Sequence, residues 1–275
     1  MAYTLVADSS CDLTESLRKE WDVQLIPLTL TLAEESYTDD ENLDLPAFME
    51  AMHACTGRVG SAAPAPALYA DAFGQGDAFA ITLSGSLSGS YSSAMVGKSL
   101  AEETGANVHV FDSRSAAAGE VLILVKLRNL IREGLEKSEI IARVEAFIRE
   151  MRTVFVLDNI DNLLKNGRLN RITGKIISTL HIRPIMGADG KGNISLVGHV
   201  QGWKQAVKKL ADAISTDGRS TRGQSLVITH CNNPSIAEEL RSEIERRFEF
   251  AEILILPTRG LSSLYANEKG VIMAF

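Results

Sequence analysis

Three times in the first half of the chain, a short apolar run passes into a loop of serine, aspartate or glycine and then into a plausible helix start. The runs are Tyr3 to Ala7, ending at Asp8-Ser9-Ser10; Phe79 to Leu83, ending at Ser84-Gly85-Ser86; and Asn107 to Phe111, ending at Asp112-Ser113-Arg114-Ser115. Such alternation of strand and helix predicts a parallel sheet with helices on both faces. Strand C-terminal ends then share one edge, so the three polar loops come to lie side by side where ligands bind. The richest of them is Ser84-Gly85-Ser86-Leu87-Ser88-Gly89-Ser90. Glycine lets backbone N–H groups approach a bound group, serine adds hydroxyl donors, and a helix N-terminus adds partial positive charge. Together they point to a pocket for an anion such as a carboxylate or phosphate. A merely small and polar connector is the competing reading of these residues, and the convergence of three loops favours the pocket.

The rest of the first half fits this frame. Asp12-Leu13-Thr14-Glu15 has the pattern of a capping box, with Leu13, Leu17 and Trp21 as an apolar stripe. Val23 to Leu32 reads as a strand broken at Pro27, Glu34 to Glu41 as an acidic loop, and a helix begins near Pro46. Gly60 to Pro66 is a loop of small residues suited to a linker or a pocket wall. Ala116 to Leu130 is apolar nearly all round, which predicts a buried helix, and Glu139 to Met151 is amphipathic.

After Thr153 the pattern changes. A strand at Thr153 to Leu157 leads into helical segments that reach His181, and Asp189-Gly190-Lys191-Gly192 separates two short strands as a hairpin turn. Helices at Ala206 to Ile214 and from Pro234 alternate with strands at Ser225 to Thr229 and Glu252 to Leu256. A polar loop, Pro257 to Lys269, precedes a terminal strand, Gly270 to Phe275. The expected fold is therefore α/β in two domains. Residues 1–150 form a parallel sheet with helices on both faces, and residues 151–275 form an α+β domain with a mainly antiparallel sheet.

A length of 275 residues suits two medium domains. The formal net charge of −7 argues against a nucleic-acid surface, and the basic clusters at Lys204 to Lys209 and Arg246-Arg247 read as solvated helix faces. Cys11, Cys55 and Cys231 have no paired ligand spacing, so neither a disulfide framework nor a zinc site is expected. No basic-then-apolar leader opens the chain, and no apolar run reaches the roughly 18 residues of a membrane span. These features point to a cytoplasmic protein without an integral membrane segment. The serines of Ser84 to Ser93 invite a nucleophile, but a nucleophile needs a base in reach. Among His53, His109, His181, His199 and His230, His109 reads as a core residue and His230 is the best base. No clean nucleophile elbow, Walker A lysine or GxGxxG accompanies them. Asp8, Asp12 and Asp112 read as helix caps rather than a metal set. A non-catalytic binding protein without metal or cofactor is the first reading, and a serine-dependent hydrolase or acyltransferase acting on a small carboxylate or ester is the alternative.

With these residues assembled, the chain resembles the DegV family of bacterial fatty-acid-binding proteins nearly end to end. Val6-Ala7-Asp8-Ser9-Ser10-Cys11-Asp12-Leu13 is similar to the family's strand-then-Asp-Ser opening, and Gly60-Ser61-Ala62-Ala63-Pro64 to its Thr-Ser-Gln-Pro loop. Leu83 to Tyr91 resembles its Ser-Ser-x-Leu-Ser-Gly-Thr-Tyr signature, and Asp112 to Ala116 its Asp-Ser/Thr-x-x-Ala segment. Leu163 to Leu169 looks like its Leu-x-x-Gly-Gly-Arg-Ile element, and Ile182-Arg183-Pro184-Ile185 like its Ile-Lys-Pro-Ile. The resemblance implies one long-chain fatty acid with its tail buried between two domains and its carboxylate at the serine loops. Carried over, the ligand-binding residues are Ser9, Ser61, Ser84, Gly85, Ser86 and Arg168. It also implies, as a partner, a dihydroxyacetone-kinase-like fatty acid kinase that makes acyl phosphate. The chain departs from the family where Ala62 and Ala63 replace Ser and Gln, where Gly85 replaces the second serine, and where Gly260 to Asn267 replaces Gly-x-His-x-Gly-Pro-Gly.

Overall fold

A computed structural model describes residues 3–169, 182–216 and 218–275. In the first half, strands β1 (Thr4–Asp8), β2 (Val23–Ile26), β6 (Asp77–Thr82) and β7 (Asn107–Asp112) make a four-stranded sheet in the order β2-β1-β6-β7. Every neighbouring pair in it is parallel. The strands are short and rich in small apolar residues because both faces are covered. Leu5, Ala7, Phe79 and Ile81 point to one core, and Val6, Ala78, Ala80, Val108 and Val110 to another. Helices α3 (Pro66–Phe73) and α4 (Ser90–Glu102) cover the second of these faces.

Helix α5 (Ala118–Arg132) covers the first. It is buried almost throughout, as its unbroken apolar sequence predicts, because it also touches the second sheet through Val227, Leu256 and Ala274. Helix α6 (Lys137–Glu150) packs beside it by Ile140, Val144 and Ile148.

The second sheet has six strands in the order β10-β9-β8-β13-β11-β12. They are β8 (Thr153–Val156), β9 (Ile182–Ala188), β10 (Ile194–Gln201), β11 (Ser225–His230), β12 (Glu252–Pro257) and β13 (Val271–Ala274). All pairs are antiparallel except β11 with β12. One face packs on α8 (Gly202–Ile214) and α9 (Pro234–Glu245). Phe155, Leu157 and Met186 turn to the opposite side. The helical segments expected between Leu169 and His181, and His181 itself, lie outside the described residues.

The structure corrects the reading of the segment from Val23 to Pro66. Pro27 does not merely kink one strand; it divides two, since it has no N–H to continue a ladder. β2 stays in the parallel sheet, whereas β3 (Thr29–Leu32) joins β4 (Glu35–Thr38) and β5 (Val59–Ala62) in a separate antiparallel sheet. The acidic loop and the small-residue loop thus both contain strands. This sheet and α2 (Leu45–Ala54) pack with Phe155, Leu157 and Leu264, so a first-half segment shares its core with the second half. Two smaller corrections concern caps and helices. Thr14, not Asp12, caps α1 (Glu15–Glu20), and the polar stretch after Pro257 contains α10 (Gly260–Ala266).

Asp12 is instead fully buried, with Oδ1 accepting the Arg259 N–H at 2.8 Å and the Ser262 and Thr229 hydroxyls beside the carboxyl. Burial raises its pKa to about 7, and that of Asp8 to about 6. The folded chain therefore keeps protons that the unfolded chain gives up above about pH 4, and their contribution to stability is lost as pH rises through 6 and 7. The melting temperature is expected to fall between pH 5 and pH 8. Asp12→Asn, which keeps the acceptor for Arg259, should flatten that slope by on the order of 3 kcal/mol, read by thermal unfolding at several pH values. An unchanged slope would refute the assignment.

Candidate functional site

The first sheet changes winding direction between β1 and β6, and the loops leaving those strands form the crevice expected there. Asp8, at the end of β1, holds them together. Its Oδ2 accepts the Leu83 N–H at 2.9 Å and the Ser90 hydroxyl at 2.6 Å, and its Oδ1 accepts the Ser10 N–H at 3.1 Å. Those bonds pull its pKa down, but desolvation outweighs them. Glu120, in the first turn of α5, lies buried beside Asp8 and Ser10 without a well-formed hydrogen bond. Burial first, and then its charged neighbours, push its pKa well above the usual carboxyl range. Asp112 braces the Ser84 loop from β7, accepting the N–H groups of Gly85 at 3.1 Å and Arg114 at 3.0 Å.

Above these loops lies a cavity of about 870 Å³, counting its open mouth. Its wall is apolar: Leu28, Leu83, Leu87, Phe155, Leu157, Leu163, Ile194 and Ile272 face it from both halves of the chain. The hydroxyls that reach it from below, such as Ser115 and Thr153, bond each other at 2.7 Å. On another side, a polar group gathers. The Ser61 hydroxyl, carried by β5, meets the Tyr265 hydroxyl of α10 at 3.0 Å. Arg168 follows α7 (Asp161–Lys165) and is aimed by Nε donating to Leu87 O at 3.1 Å and Nη1 to Asn166 O at 2.5 Å. Asn166 in turn donates to Val59 O at 2.9 Å, which ties the arginine's turn to the strand that carries Ser61.

Of the residues read as ligand-binding, Ser61 and Arg168 line this cavity. The others do not line it and are bonded elsewhere in the protein. Ser9 Oγ accepts the Leu28 N–H at 3.1 Å, Ser84 Oγ donates to Gly192 O and Ser86 Oγ to Lys191 O, each at 2.9 Å, and the Gly85 N–H goes to Asp112. Tyr265 lies within Pro257 to Lys269, which the sequence alone presents as a polar loop. The spacing of Leu261, Leu264 and Tyr265 is the helical signal that reveals it. Among the described residues, no cluster of three or more His, Cys, Asp or Glu could hold a metal, and no helix is long and apolar enough to cross a membrane. His53 Nε2 pairs with Asn267 Oδ1 at 3.0 Å and His230 Nδ1 accepts the Asn233 N–H at 3.3 Å, so both rings are engaged away from the serine loop.

Known proteins share both the sequence and this architecture. A DegV domain-containing protein of Streptococcus pyogenes serotype M1 is 35% identical over 280 residues, covering 100% of this chain and 99% of its own. The crystal structure of a DegV family protein from Ruminococcus gnavus, refined with vaccenic acid, superposes with a TM-score of 0.93 at 34% identity, over 99% of each chain. The Streptococcus pneumoniae Fatty Acid Kinase (Fak) B3 protein, loaded with linoleic acid, gives a TM-score of 0.91 at 33% identity, over 100% of this chain and 99% of that one. The model of a family described as "Uncharacterised protein, DegV family" matches residues 2–273, and on this evidence the chain belongs to the DegV family.

Proposed function

We propose that this protein binds one long-chain fatty acid, with the tail in the apolar cavity and the carboxylate against Ser61, Tyr265 and Arg168. The observation that carries the reading is the cavity itself: an apolar pocket with Arg168 and the Ser61–Tyr265 hydroxyl pair in its wall. Relatives at about a third identity hold vaccenic and linoleic acids in the same fold. Each buried methylene contributes about 0.8 kcal/mol, so a tail of roughly fourteen gives on the order of 11 kcal/mol before the cost of association. Hydrogen bonds to a charged carboxylate add about 1.5–3 kcal/mol each. The tail therefore sets affinity and the polar group sets orientation.

Lipid extraction of the purified protein, followed by mass spectrometry, should release about one fatty acid per chain. Protein made in lipid-replete cells that yields none would sink the proposal. Ser61→Ala combined with Tyr265→Phe should weaken fatty-acid affinity by about ten- to a hundredfold with little change in melting temperature. An unaltered dissociation constant would remove the head group from this position.

The finer role is presentation of that carboxylate to a dihydroxyacetone-kinase-like fatty acid kinase, supported by the likeness to the Fak B3 protein. With such a kinase and ATP, the loaded protein should support acyl phosphate formation, trapped as hydroxamate. Arg168→Ala should reduce the yield. Formation at the same rate without the binding protein would contradict this role.

A further inference from the structure

Strands β9 and β10 form a hairpin at the edge of the six-stranded sheet, and its turn reaches the loops of the first sheet. Asp189 shapes the turn by accepting the Lys191 N–H at 2.8 Å, the Asn193 N–H at 3.0 Å and the Asn193 side-chain amide at 2.9 Å. Three successive carbonyls are left to bond outward, and each meets a donor from the first half of the chain. Arg114 Nη1 reaches Gly190 O at 3.4 Å, Ser86 Oγ reaches Lys191 O at 2.9 Å, and Ser84 Oγ reaches Gly192 O at 2.9 Å. Gly192 has a φ of 88°, and a Cβ there would stand 2.2 Å from Ser84 Oγ and 3.1 Å from Arg114 Cα. Only glycine permits so close a seat.

This seam borders the cavity. Arg114, Ser115 and Ala116 line it from one side, and Ala188, Gly192 and Asn193 from the other. Other ties between the halves lie deeper inside the protein. Buried Asp39 accepts the N–H groups of Gly260 and Leu261 at 3.1 and 2.9 Å, and buried Asp12 accepts the Arg259 N–H at 2.8 Å. At the turn, by contrast, Arg114, Ser86, Gly190 and Lys191 are exposed, so water competes for two of the three bonds, while the Ser84–Gly192 bond is buried. The hairpin is anchored beyond them by its pairing with β8 at Val154, Phe155 and Val156 and by Ile185 and Met186 in the cores on the two faces of the sheet.

We propose that the turn from Asp189 to Asn193 is a latch, held shut by Ser84, Ser86 and Arg114, and that its release opens the cavity to an apolar ligand. Hydrophobic contacts keep the other seams closed while this one parts. The ligand's identity rests on the fatty-acid reading; the latch does not.

Hydrogen–deuterium exchange on the full chain tests the latch without a ligand. In Ser84→Ala/Ser86→Ala, amides of residues 185–195 and 113–117 should exchange about tenfold faster, while β11 and β12 keep their protection. Unchanged exchange at the hairpin, or a rise spread evenly over both sheets, overturns the proposal. A second variant reads function: Ser86→Cys with Lys191→Cys, oxidised by diamide, which takes up the two thiol hydrogens as the disulfide forms. Uptake and release of the fluorescent fatty acid cis-parinaric acid should slow at least tenfold and recover with dithiothreitol. Equal rates in the locked and reduced forms overturn the latch. If cis-parinaric acid does not bind the unaltered protein, the fatty-acid reading fails, and hydrogen exchange still decides the latch.

Discussion

A helix without a wet side exists only between two apolar surfaces, and α5 imposes that condition on the whole chain. Its residues from Ala118 to Val125 are buried without a break, against the four-stranded sheet on one flank and β11 and β13 on the other. The two sheets are thereby fixed relative to each other at one end. Wherever α5 does not reach, the gap between them must be filled by something else. On that side Leu83, Leu87, Phe155 and Leu157 border the cavity, beside the core they share with the three-stranded sheet. Burying the helix start carries a cost of its own, since Glu120 and Asp8 are held out of water with it. Asp8 recovers part of this by bonding Leu83, Ser90 and Ser10, which is how a buried carboxyl comes to organise three loops.

The parallel sheet was legible because its signals are local. Each strand is a short apolar run with a polar stop, and each stop is a loop that the next strand's end must join. The buried helix and the hairpin at Asp189 were legible for the same reason: an unbroken apolar stretch in one case and a turn residue pattern in the other. What escaped was the three-stranded sheet. β4, with Glu35 and Thr38 exposed, has no apolar face of its own, and β5 is made of valine, glycine, serine and alanine. Such strands are defined by β3, to which both pair, and by the tertiary floor beneath them.

The candidate site divides in the same way. Ser61 and Arg168 came from resemblance to family motifs, not from any pattern that places them together. They line one cavity, and Asn166, two residues before Arg168, bonds the strand carrying Ser61. The serine loop looked like a ready anion cradle, yet most of its donors are spent on Asp8, Asp112 and the hairpin carbonyls. A sequence announces which groups can donate; it does not reveal which are already engaged. Tyr265 shows the converse, since a single phenol in a stretch read as loop gains meaning only from the hydroxyl opposite it.

The three-stranded sheet also bears on how the chain can be divided. It is encoded between residues 29 and 62, yet its apolar side rests on Phe155, Leu157, Leu163 and Leu264. A fragment cut near residue 150 would inherit an intact parallel sheet together with a small sheet stripped of its floor. The complementary fragment would bare the opposite side of the same contact. Each half is therefore the other's chaperone during synthesis, and the small sheet has to wait for the last third of the chain before it can settle.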